Sequence, residues 1–528
     1  MPAYAKRPIL YSLSRLLSRN LTPLQGGLTS AVIASKNLDI DVTVVDFNAK
    51  QIRDWSSNRL PIYEPGLSEL IQDIRKEAHC NLTFDVDIDG AIRKADLIFV
   101  SVNTPTRKLG PGAGQALDTR WLEDAVKTVA RVADKDKIVV EKSTVPVGTA
   151  NLIRQTLRAE GKPGVKFTVL SNPEFLAEGT AVSDLLQPDR VLIGWDRTPD
   201  GFAAAAALAE IYAAWVPRDR IITTNLWSSE LAKLASNALL AQRVSSINSL
   251  SAICEATGAD VEEVSLACGL DKRIGHHMLN VSVGFGGSCF KKDILALCYL
   301  AEALDMPEVA AYWETVVDMN AYQKDRFNRR ITSCLYGDLA GKKLAILGWA
   351  YKKNTNDSRE SAAISVAGKL ISQGAKVAIY DPRVSREQIW DDLHPVYHSM
   401  EEHQILSRIC ICPSALKACE EAHAAVILTE WDEFSNKATA APGSVAPESA
   451  NSDVEPPADG ADKSEAGHLD LAVADLHGPA PMFDWAAAAK VMRGPKFVFD
   501  GRNVVDAGRL EELGFKVECI GKPSARWP

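Results

Sequence analysis

Residues 95–105, ADLIFVSVNTP, place an apolar run directly before a polar cluster. The run at 97–100 suits a strand buried in a parallel sheet, and 101–105 would follow at its carboxyl end. In open α/β sheets, ligands bind beyond the carboxyl ends of the strands. This stretch therefore predicts a strand and part of a binding site together.

The same pattern recurs along the chain. Strand-like runs lie at 42–46, 137–141, 167–170, 344–348, 376–381, 424–428 and 497–500. Helical patterns such as 118–132 and 361–372 separate them, and alternation of this kind indicates parallel, doubly wound sheets. The stretch 229–256 has few helix breakers and a helical apolar rhythm. We therefore expect an α/β fold with two Rossmann-like doubly wound domains joined by a long central helix.

Composition bounds the class of protein. The chain has 528 residues, 46% of them hydrophobic, and a formal net charge of -9. A negative balance argues against nucleic acid or an anionic membrane surface as the main partner. No apolar run approaches the ~20 residues that span a bilayer. Ten scattered cysteines, without a CxxC pair, indicate reduced thiols and a cytoplasmic protein.

Two segments differ from the rest. Residues 1–22 are basic and free of acids, a composition typical of a mitochondrial transit peptide. We prefer a basic tail or a wrongly joined first exon to targeting. Residues of about 435–467 are rich in Ala, Pro, Ser, Asp and Glu and have almost no large apolar residue. They are interpreted as a disordered insertion, or as retained intron sequence.

A dinucleotide site is suggested by Gly26 and Gly27, with Asp46 about 20 residues later. The acid of such a fingerprint holds ribose hydroxyls. The two earlier glycines are missing, because Leu21 and Pro23 stand in their places. A convincing first strand is also missing just before them. Either the N-terminus is wrongly joined, or NAD binds weakly or not at all.

The stretch 283–293, VGFGGSCFKKD, carries the most specific chemistry. Three glycines within four residues let the backbone approach a ligand closely, and Cys289 follows them directly. Asp293 lies four residues on, one helical turn away. The alternative, an inert packing cysteine, is disfavoured by the glycine context. Cys289 is therefore a candidate nucleophile.

Charged and amide side chains provide the other candidates. Lys233 and Asn237 share one helix face, where they would stabilise a developing oxyanion or simply face solvent. Glu174 and Glu178 follow the strand at 167–170, and 142–144 (KST) follows the strand at 137–141.

These motifs resemble the UDP-glucose 6-dehydrogenase family, closest to its eukaryotic members. The similarity rests on the ordered blocks VSVNTPT, EKSTVPVGT, LSNPEFLAEGTAV, PDRVLIG, SSELAKLASNALLAQR, SSINS, EATGADVEEV, VGFGGSCFKKD, NDSRES, ILTEWDEF and FDGRNV. It covers about 26–434 and 483–521. The resemblance implies NAD-dependent, four-electron oxidation of UDP-glucose to UDP-glucuronate through a thiohemiacetal and a thioester on Cys289.

The resemblance also implies residue roles. Catalytic roles fall to Cys289, Lys233, Asp293, Glu174, Thr144 and Asn237. NAD contacts are implied for Gly26, Gly27, Asp46, Val102, Thr104, Ser143, Glu178 and Arg359. Substrate contacts are implied for Glu174, Phe175, Leu176, Lys233, Asn237, Arg273, Gly284, Phe285, Gly286, Lys352 and Arg502, and no metal is implied.

The family implies a homo-oligomer, from dimer to hexamer, in which Arg273 reaches a neighbouring subunit's site. The expected division is 1–22, an NAD-binding domain at 23–225 with an incomplete first strand and glycine loop, a helical domain at 226–330, and a UDP-sugar-binding domain at 331–528. Three alternatives stay open: another nucleotide sugar (GDP-mannose or UDP-N-acetylmannosamine) as substrate, a catalytically silent subunit, and a scaffold for the insertion.

Overall fold

The computed structural model describes residues 9–14, 24–77, 80–394, 407–437 and 482–523. Two parallel sheets flank a helical region. The first sheet has eight strands in the order β3-β2-β1-β4-β5-β6-β7-β8. These are β1 Ile9–Ser14, β2 Val42–Asp46, β3 Leu82–Asp85, β4 Leu97–Val100, β5 Lys137–Glu141, β6 Phe167–Ser171, β7 Val191–Trp195 and β8 Ile221–Asn225. All neighbouring pairs are parallel except β6 with β7.

Helices cover both faces of this sheet. They are α1 Leu24–Lys36, α2 Ala49–Ser56, α3 Leu67–Lys76, α4 Ile88–Lys94, α5 Arg120–Val132, α6 Thr149–Glu160, α7 Ala181–Leu186 and α8 Pro199–Ala213. One buried cluster centres on Leu28, Ile33 and Phe99, and another on Ile98, Val126 and Val139. Apolar residues thus alternate between the two faces of β4, as a sheet buried on both sides requires.

Strand β1 corrects one expectation. Ile9–Ser14 pairs in parallel with both β2 and β4, so it occupies the centre of the sheet. A first strand was expected to be missing because it was sought just before Gly26. It lies instead well upstream, in the apolar stretch ILYSLS. The connection, 15–23, which contains Leu21 and Pro23, lies outside the described residues.

Four helices form the middle of the chain: α9 Leu226–Thr257, α10 Val261–Gly269, α11 Phe290–Ala303 and α12 Pro307–Cys334. Asn225 caps α9 by accepting from the Ser228 amide at 2.7 Å, and Gly258 ends it in the left-handed conformation, φ +85°. The long helix expected at 229–256 is therefore present, three residues longer at the start and one at the end.

The second sheet repeats the order of the first six strands, as β11-β10-β9-β12-β13-β14. The strands are β9 Lys343–Leu347, β10 Lys376–Tyr380, β11 Ile409–Ile411, β12 Ala424–Ile427, β13 Phe497–Asp500 and β14 Lys516–Cys519. Their helices are α13 Ala362–Ser372, α14 Arg386–Leu393, α15 Ala415–Cys419, α16 Trp485–Val491 and α17 Ala507–Glu512. Two doubly wound α/β units joined by a long helix confirm the expected fold class.

Asp381, the acid directly after β10, points its carboxylate at the loop after β9. Asp381 Oδ2 accepts from the Trp349 and Ala350 amides, at 2.6 and 2.9 Å, and from the Trp431 indole at 3.1 Å. The carboxylate thus closes the loop after β9. Asp46, at the same place in the first sheet, accepts from the Asn48 amide of its own turn, at 2.7 Å.

Most of the proposed insertion lies outside the described residues, which stop at 437 and resume at 482. Its first residues, 435–437, are described by the structure, and the Asn436 side-chain amide donates to the Asp506 carbonyl at 3.1 Å. The flanks of the gap meet, because the Phe483 amide donates to the Glu433 carbonyl at 2.7 Å.

Candidate active site

The glycine loop presents Cys289 at the start of α11. Gly284 and Gly287 have φ values of +127° and +84°, which favour glycine. A Cβ on Gly286 would lie 2.7 Å from the Glu360 carbonyl oxygen, and the Gly287 amide donates to the Arg359 carbonyl at 2.8 Å. The loop is thereby fixed against the second α/β unit, and Cys289 stays partly exposed.

Asn320, on α12, holds the loop from the other side. Its side chain accepts from the Phe285 amide at 2.8 Å and donates to the Phe285 carbonyl at 3.0 Å. Phe285 packs edge-to-face on Phe290 with ring centroids 5.7 Å apart. The backbone at Gly284–Gly286, predicted to contact substrate, is therefore held by Asn320 on one side and by the second α/β unit on the other.

Asp293 is fully buried one turn after Cys289. Its carboxylate accepts from Asn237 at 2.5 Å and from Lys292 at 2.7 Å. Two predicted catalytic residues, Asn237 on α9 and Asp293 on α11, are thus in direct contact. The Asn237 side chain donates to Asp293, whereas the sequence analysis considered it together with Lys233 on one helix face.

Lys233 lies one turn before Asn237 and is buried. Its ammonium is 5.3 Å from the centre of the Phe175 ring, and the Arg190 guanidinium is 3.9 Å from the same ring. Phe175 follows β6, so this contact connects the first sheet to α9. A buried cation there can stabilise negative charge on a substrate oxygen.

Glu174 is one of the polar residues that line a recess at the end of β6. Its carboxylate pairs with the buried Lys142 ammonium at 2.9 Å and accepts from Thr29 at 3.2 Å. Burial alone would lower the pKa of Lys142, but the Glu174 carboxylate and Tyr212 outweigh it and raise the pKa above its usual value. Glu174 therefore faces a fixed positive charge, which the sequence did not indicate.

The loops after β4 and β5 are joined by hydroxyls. Ser143 Oγ accepts from the Val102 amide and donates to the Val102 carbonyl, both at 2.7 Å. Thr104 donates to the Thr144 carbonyl at 2.6 Å. These four predicted residues lie together at the carboxyl edge of the sheet, beside the reversal of strand order at β1.

Glu178 links the two α/β units. Its carboxylate lies 3.6 Å from the Arg359 guanidinium and accepts from Thr355 at 3.4 Å. Burial and the neighbouring Asp357 raise the pKa of Glu178 to about 7, although Arg359 acts in the opposite direction. Glu64 fixes the turn after Glu178 by accepting from the Gly179 and Ala181 amides, at 2.8 and 2.6 Å.

The residues present fit a dinucleotide on the first sheet. Gly26 and Gly27 lie in the first turn of α1, and a Cβ on Gly27 would come within 2.3 Å of the Trp55 ring. A side chain at Gly27 would collide with this ring, so α1 and α2 pack closely beside Gly26, which holds the position of the last glycine in a Rossmann fingerprint. Asp46 and the loops after β4 and β5 border the same edge.

The remaining substrate candidates lie on the second α/β unit or at the surface. Arg502 donates to the Leu428 and Tyr351 carbonyls, both at 2.8 Å, and lies 3.3 Å from the Glu430 carboxylate. Lys352 lies over the Tyr351 ring at 5.9 Å. Leu176 packs at the rim of the first core.

Arg273 stands apart from these residues. Its side chain is 89% exposed and pairs with Asp271 at 2.6 Å. The structure therefore does not bring Arg273 into the site of its own protomer.

Two residues near the site were missed by sequence reasoning. Burial and the charges of Glu178 and Asp357 raise the pKa of Tyr351, whose ring lies 3.1 Å from a Cβ built on Gly287. Lys324 is buried against Gly284, and burial lowers its pKa. Lys324 lies on the buried face of α12 together with Asn320, Gln323 and Asn328, and no motif in the sequence marks it.

Comparison with known families decides the identity. The UDP-glucose/GDP-mannose dehydrogenase family matches in three parts: its NAD binding domain at 25–216, its central domain at 227–322 and its UDP binding domain at 345–450. The chain belongs to the UDP-glucose/GDP-mannose dehydrogenase family. Membership confirms the expected family, and it confirms an NAD-dependent dehydrogenase with a UDP-sugar-binding domain.

Relatives of this dehydrogenase family match along almost the whole chain. UDP-glucose 6-dehydrogenase of Drosophila melanogaster is 49% identical over 502 residues, 95% of each chain. UDP-glucose 6-dehydrogenase 1 of Oryza sativa subsp. japonica is 48% identical over 510 residues, covering 95% of this chain and 96% of the relative. The enzyme of Pongo abelii is 48% identical over 94% of this chain and 91% of its own.

Solved structures of this dehydrogenase family share the fold. A UDP-glucose dehydrogenase of the hyperthermophilic archaeon Pyrobaculum islandicum superposes with a TM-score of 0.69 at 30% identity, covering 82% of this chain and 92% of that one. Within the part of the chain that the structure describes, no helix is both long and apolar enough to cross a membrane.

Proposed function

We propose that this chain oxidises C6 of UDP-glucose to a carboxylate, giving UDP-glucuronate with two NAD consumed per sugar. The observation that carries the proposal is the glycine loop, which presents a partly exposed Cys289 one turn from the buried Asp293–Asn237 pair. Identity of 48–49% to named UDP-glucose 6-dehydrogenases over nearly the whole chain supports the same substrate.

The chain's own residues provide the sulfur nucleophile and the groups that transfer protons. Bound NAD supplies a hydride acceptor for each of the two oxidations at C6. Between them, the Cys289 thiolate adds to the C6 aldehyde, a C–S bond forms, and the oxygen takes a proton to give a thiohemiacetal. The second oxidation leaves a thioester on Cys289. Enclosing the aldehyde as a covalent adduct prevents its release.

Hydrolysis then breaks the C–S bond. We assign Glu174 to take a proton from the attacking water, so that the carboxylate product leaves and Cys289 regains its thiolate. Lys233 would stabilise the negative oxygen of each adduct, and Asp293, held by Asn237 and Lys292, would act with Thr144 through a water.

Binding roles follow the same division. NAD is assigned to Gly26, Gly27, Asp46, Val102, Thr104, Ser143, Glu178 and Arg359, and the UDP-sugar to Phe175, Leu176, Gly284, Phe285, Gly286, Lys352 and Arg502. We propose the same domain division for the chain, with the NAD-binding unit extended to residue 9, and the pairing of β1 with β2 and β4 supports that extension.

A homo-oligomer is proposed from the surface of the helical region. Leu239, Ile253, Leu266, Leu270 and Tyr312 are each more than half exposed on α9, α10, α12 and the turn after α10. Apolar residues gathered on one region favour burial against another copy. The exposed Arg273 would then reach a neighbouring site, and Leu266→Glu should lower the oligomeric state measured by light scattering.

A cytoplasmic location is proposed from the thiols. All ten cysteines lie within the described residues, and each is a free thiol. Reduced cysteines are the rule in the cytosol.

The test is NADH formed per UDP-glucose consumed by the purified chain. Two NADH per sugar support the proposal. Activity only with GDP-mannose or UDP-N-acetylmannosamine would overturn the choice of substrate. If no sugar yields NADH, the same assay on a chain with a rebuilt GxGxxG loop decides between a defective N-terminus and a silent subunit.

A further inference from the structure

Lys324, on α12, is a buried cation that the proposed reaction does not use. Four of the described lysines are buried, namely Lys137, Lys142, Lys233 and Lys324. Lys137 donates to two backbone carbonyls, and Lys142 pairs with the Glu174 carboxylate. Within the part of the chain that the structure describes, the ammonium groups of Lys233 and Lys324 have neither a hydrogen bond nor an ion pair. Lys233 is assigned to the reacting oxygen, which leaves Lys324 without a role.

The surroundings of Lys324 leave its charge unbalanced. Only 9% of the residue is exposed, and a buried ammonium without a partner costs free energy because water no longer solvates it. Burial lowers the pKa of Lys324; the Glu360 carboxylate opposes this effect, and the positive charges of Lys291 and Arg502 add to it. Glu360 is itself paired with Lys291, and the nearby Asp325 is paired with another lysine. Lys324 is therefore available to an anionic ligand.

Lys324 lies where the glycine loop meets the end of β13. Its Cε and Cγ atoms are 3.2 and 3.4 Å from the point that a Cβ on Gly284 would occupy. One turn later on α12, Phe327 Cζ is 3.3 Å from the corresponding point at Gly501, the residue before Arg502. Because residue 284 has no side chain, the lysine stem lies directly against the loop backbone.

Lys324 and Arg502 thus place two cations at the same loop from different elements. The diphosphate is the charged part of a UDP-sugar, and lysine binds phosphate as a compact point charge, whereas arginine can pair bidentately. We propose that Lys324 is a binding residue for the diphosphate of the UDP-sugar and acts together with Arg502. The inference rests on the proposed function, since it takes the backbone at Gly284–Gly286 as part of the substrate site.

The test is calorimetric titration of UDP and of uridine into the full chain and three variants. Lys324→Met removes the charge, Lys324→Arg keeps it, and Arg329→Met is the control because Arg329 is exposed on the same helix. Unfolding midpoints and NAD affinity show whether each variant is folded. Lys324→Met should weaken UDP binding by about tenfold or more and leave uridine binding unchanged, because only the contact to the charged group is lost. Lys324→Arg should stay closer to the wild type, and Arg329→Met should equal it.

Equal UDP affinity in the wild type and Lys324→Met, or an equal loss of affinity for UDP and uridine, would overturn the proposal. A second measurement needs no variant. UDP should protect Lys324 of the wild type from reductive methylation more than uridine does, as read from peptide masses, and equal protection would contradict the assignment.

Calorimetry detects binding without turnover, so the two proposals can fail separately. A chain that binds UDP through Lys324 but forms no NADH would overturn the proposed reaction and leave this inference intact. A wild type that binds no UDP would overturn both.

Discussion

At the residue scale, Cys289 is the most direct test of the mechanism. Cys289→Ser should lower net turnover by more than about 10³-fold, because a serine hydroxyl cannot replace a thiolate as nucleophile and leaving group. Steady-state NADH formation measures the loss, and calorimetry should show unchanged UDP-glucose affinity. Cys80→Ser is the matched control. Wild-type turnover in Cys289→Ser would remove Cys289 from the mechanism.

Glu178 predicts a pH dependence. Burial and Asp357 raise its pKa to about 7, against the effect of Arg359, and Tyr351 also borders the carboxylate. Below pH 7 the carboxylate is protonated and loses its charge pairing with Arg359, so kcat/KM for NAD should fall as pH decreases.

The variant Glu178→Gln isolates this dependence. It should lower kcat/KM for NAD at pH 8 by about tenfold, the size expected for one lost charge-assisted contact. It should also flatten the acidic limb of the profile near pH 7. An unchanged limb in the variant would assign that limb to a different group.

Residue type and spacing identified Cys289 and Asp293, because a glycine loop before a cysteine is visible in the sequence. The partners that tune the site were not visible. Lys142 reaches Glu174 from a neighbouring strand, and Lys324 reaches Gly284 from a helix about 40 positions later. Such contacts arise only when the sheets and helices pack.

At the element scale, two carboxyl groups connect β5, α6 and α9. Glu230 on α9 accepts from the Gly148 and Ala150 amides at the start of α6, at 2.6 and 2.7 Å. Burial and the nearby Glu230 raise the pKa of Glu141, at the end of β5, well above its usual value. One oxygen of Glu141 is buried without a hydrogen-bond partner, so nothing at that oxygen stabilises a negative charge.

The raised pKa of Glu141 makes the free energy of unfolding depend on pH. Because the folded pKa of Glu141 is raised, its contribution is fully present below the unfolded pKa near 4.5 and is lost as pH rises toward the folded pKa. The glutamine in Glu141→Gln keeps a hydrogen-bond donor at this position but cannot ionise. The free energy of unfolding of the wild type should therefore fall relative to Glu141→Gln as pH rises above the unfolded pKa, by at most about 1.4 kcal/mol per pH unit.

Urea unfolding at several pH values measures this difference. Glu69→Gln, on the exposed face of α3, is the control and should run parallel to the wild type. If Glu141→Gln also runs parallel to the wild type, Glu141 is ionised in the folded protein.

Elements with strong local signals were predictable. The strand at 42–46 and the helix at 229–256 agree with β2 and α9 to within three residues. Strand β1 was not predictable from the fingerprint, because the expected spacing to Gly26 points to 16–21. Its central position becomes clear only from pairing with β2 and β4.

At the scale of the whole molecule, the insertion should be dispensable. Its flanks are already held together, since Phe483 bonds Glu433 and the Trp485 indole donates to the Phe434 carbonyl at 3.0 Å. Deleting 438–467 leaves these contacts and those of Asn436 in place. We expect kcat and KM for UDP-glucose within about twofold of the full chain, because the contacts that join the two flanks do not involve the deleted residues.

The test compares the steady-state kinetics of two variants. One lacks 438–467, and in the other a Gly/Ser linker of equal length replaces 438–467. A large loss of activity in both would refute the interpretation of this segment as a passive insertion. Loss only in the shorter chain would indicate that length alone matters.

The inward-turned Asp381 has a consequence for inhibition. In one half of the chain the strand-end acid borders the proposed adenosine pocket, and in the other it already accepts two backbone amides and an indole. The other oxygen of Asp381 accepts from the Arg383 and Val384 amides, each at 2.8 Å, so the whole carboxylate is already used as an acceptor and has no site left for a ribose hydroxyl. Adenosine analogues should therefore compete with NAD at the first sheet and should not change the apparent affinity for UDP-glucose. Neither nucleotide would then bind in the pocket of the other.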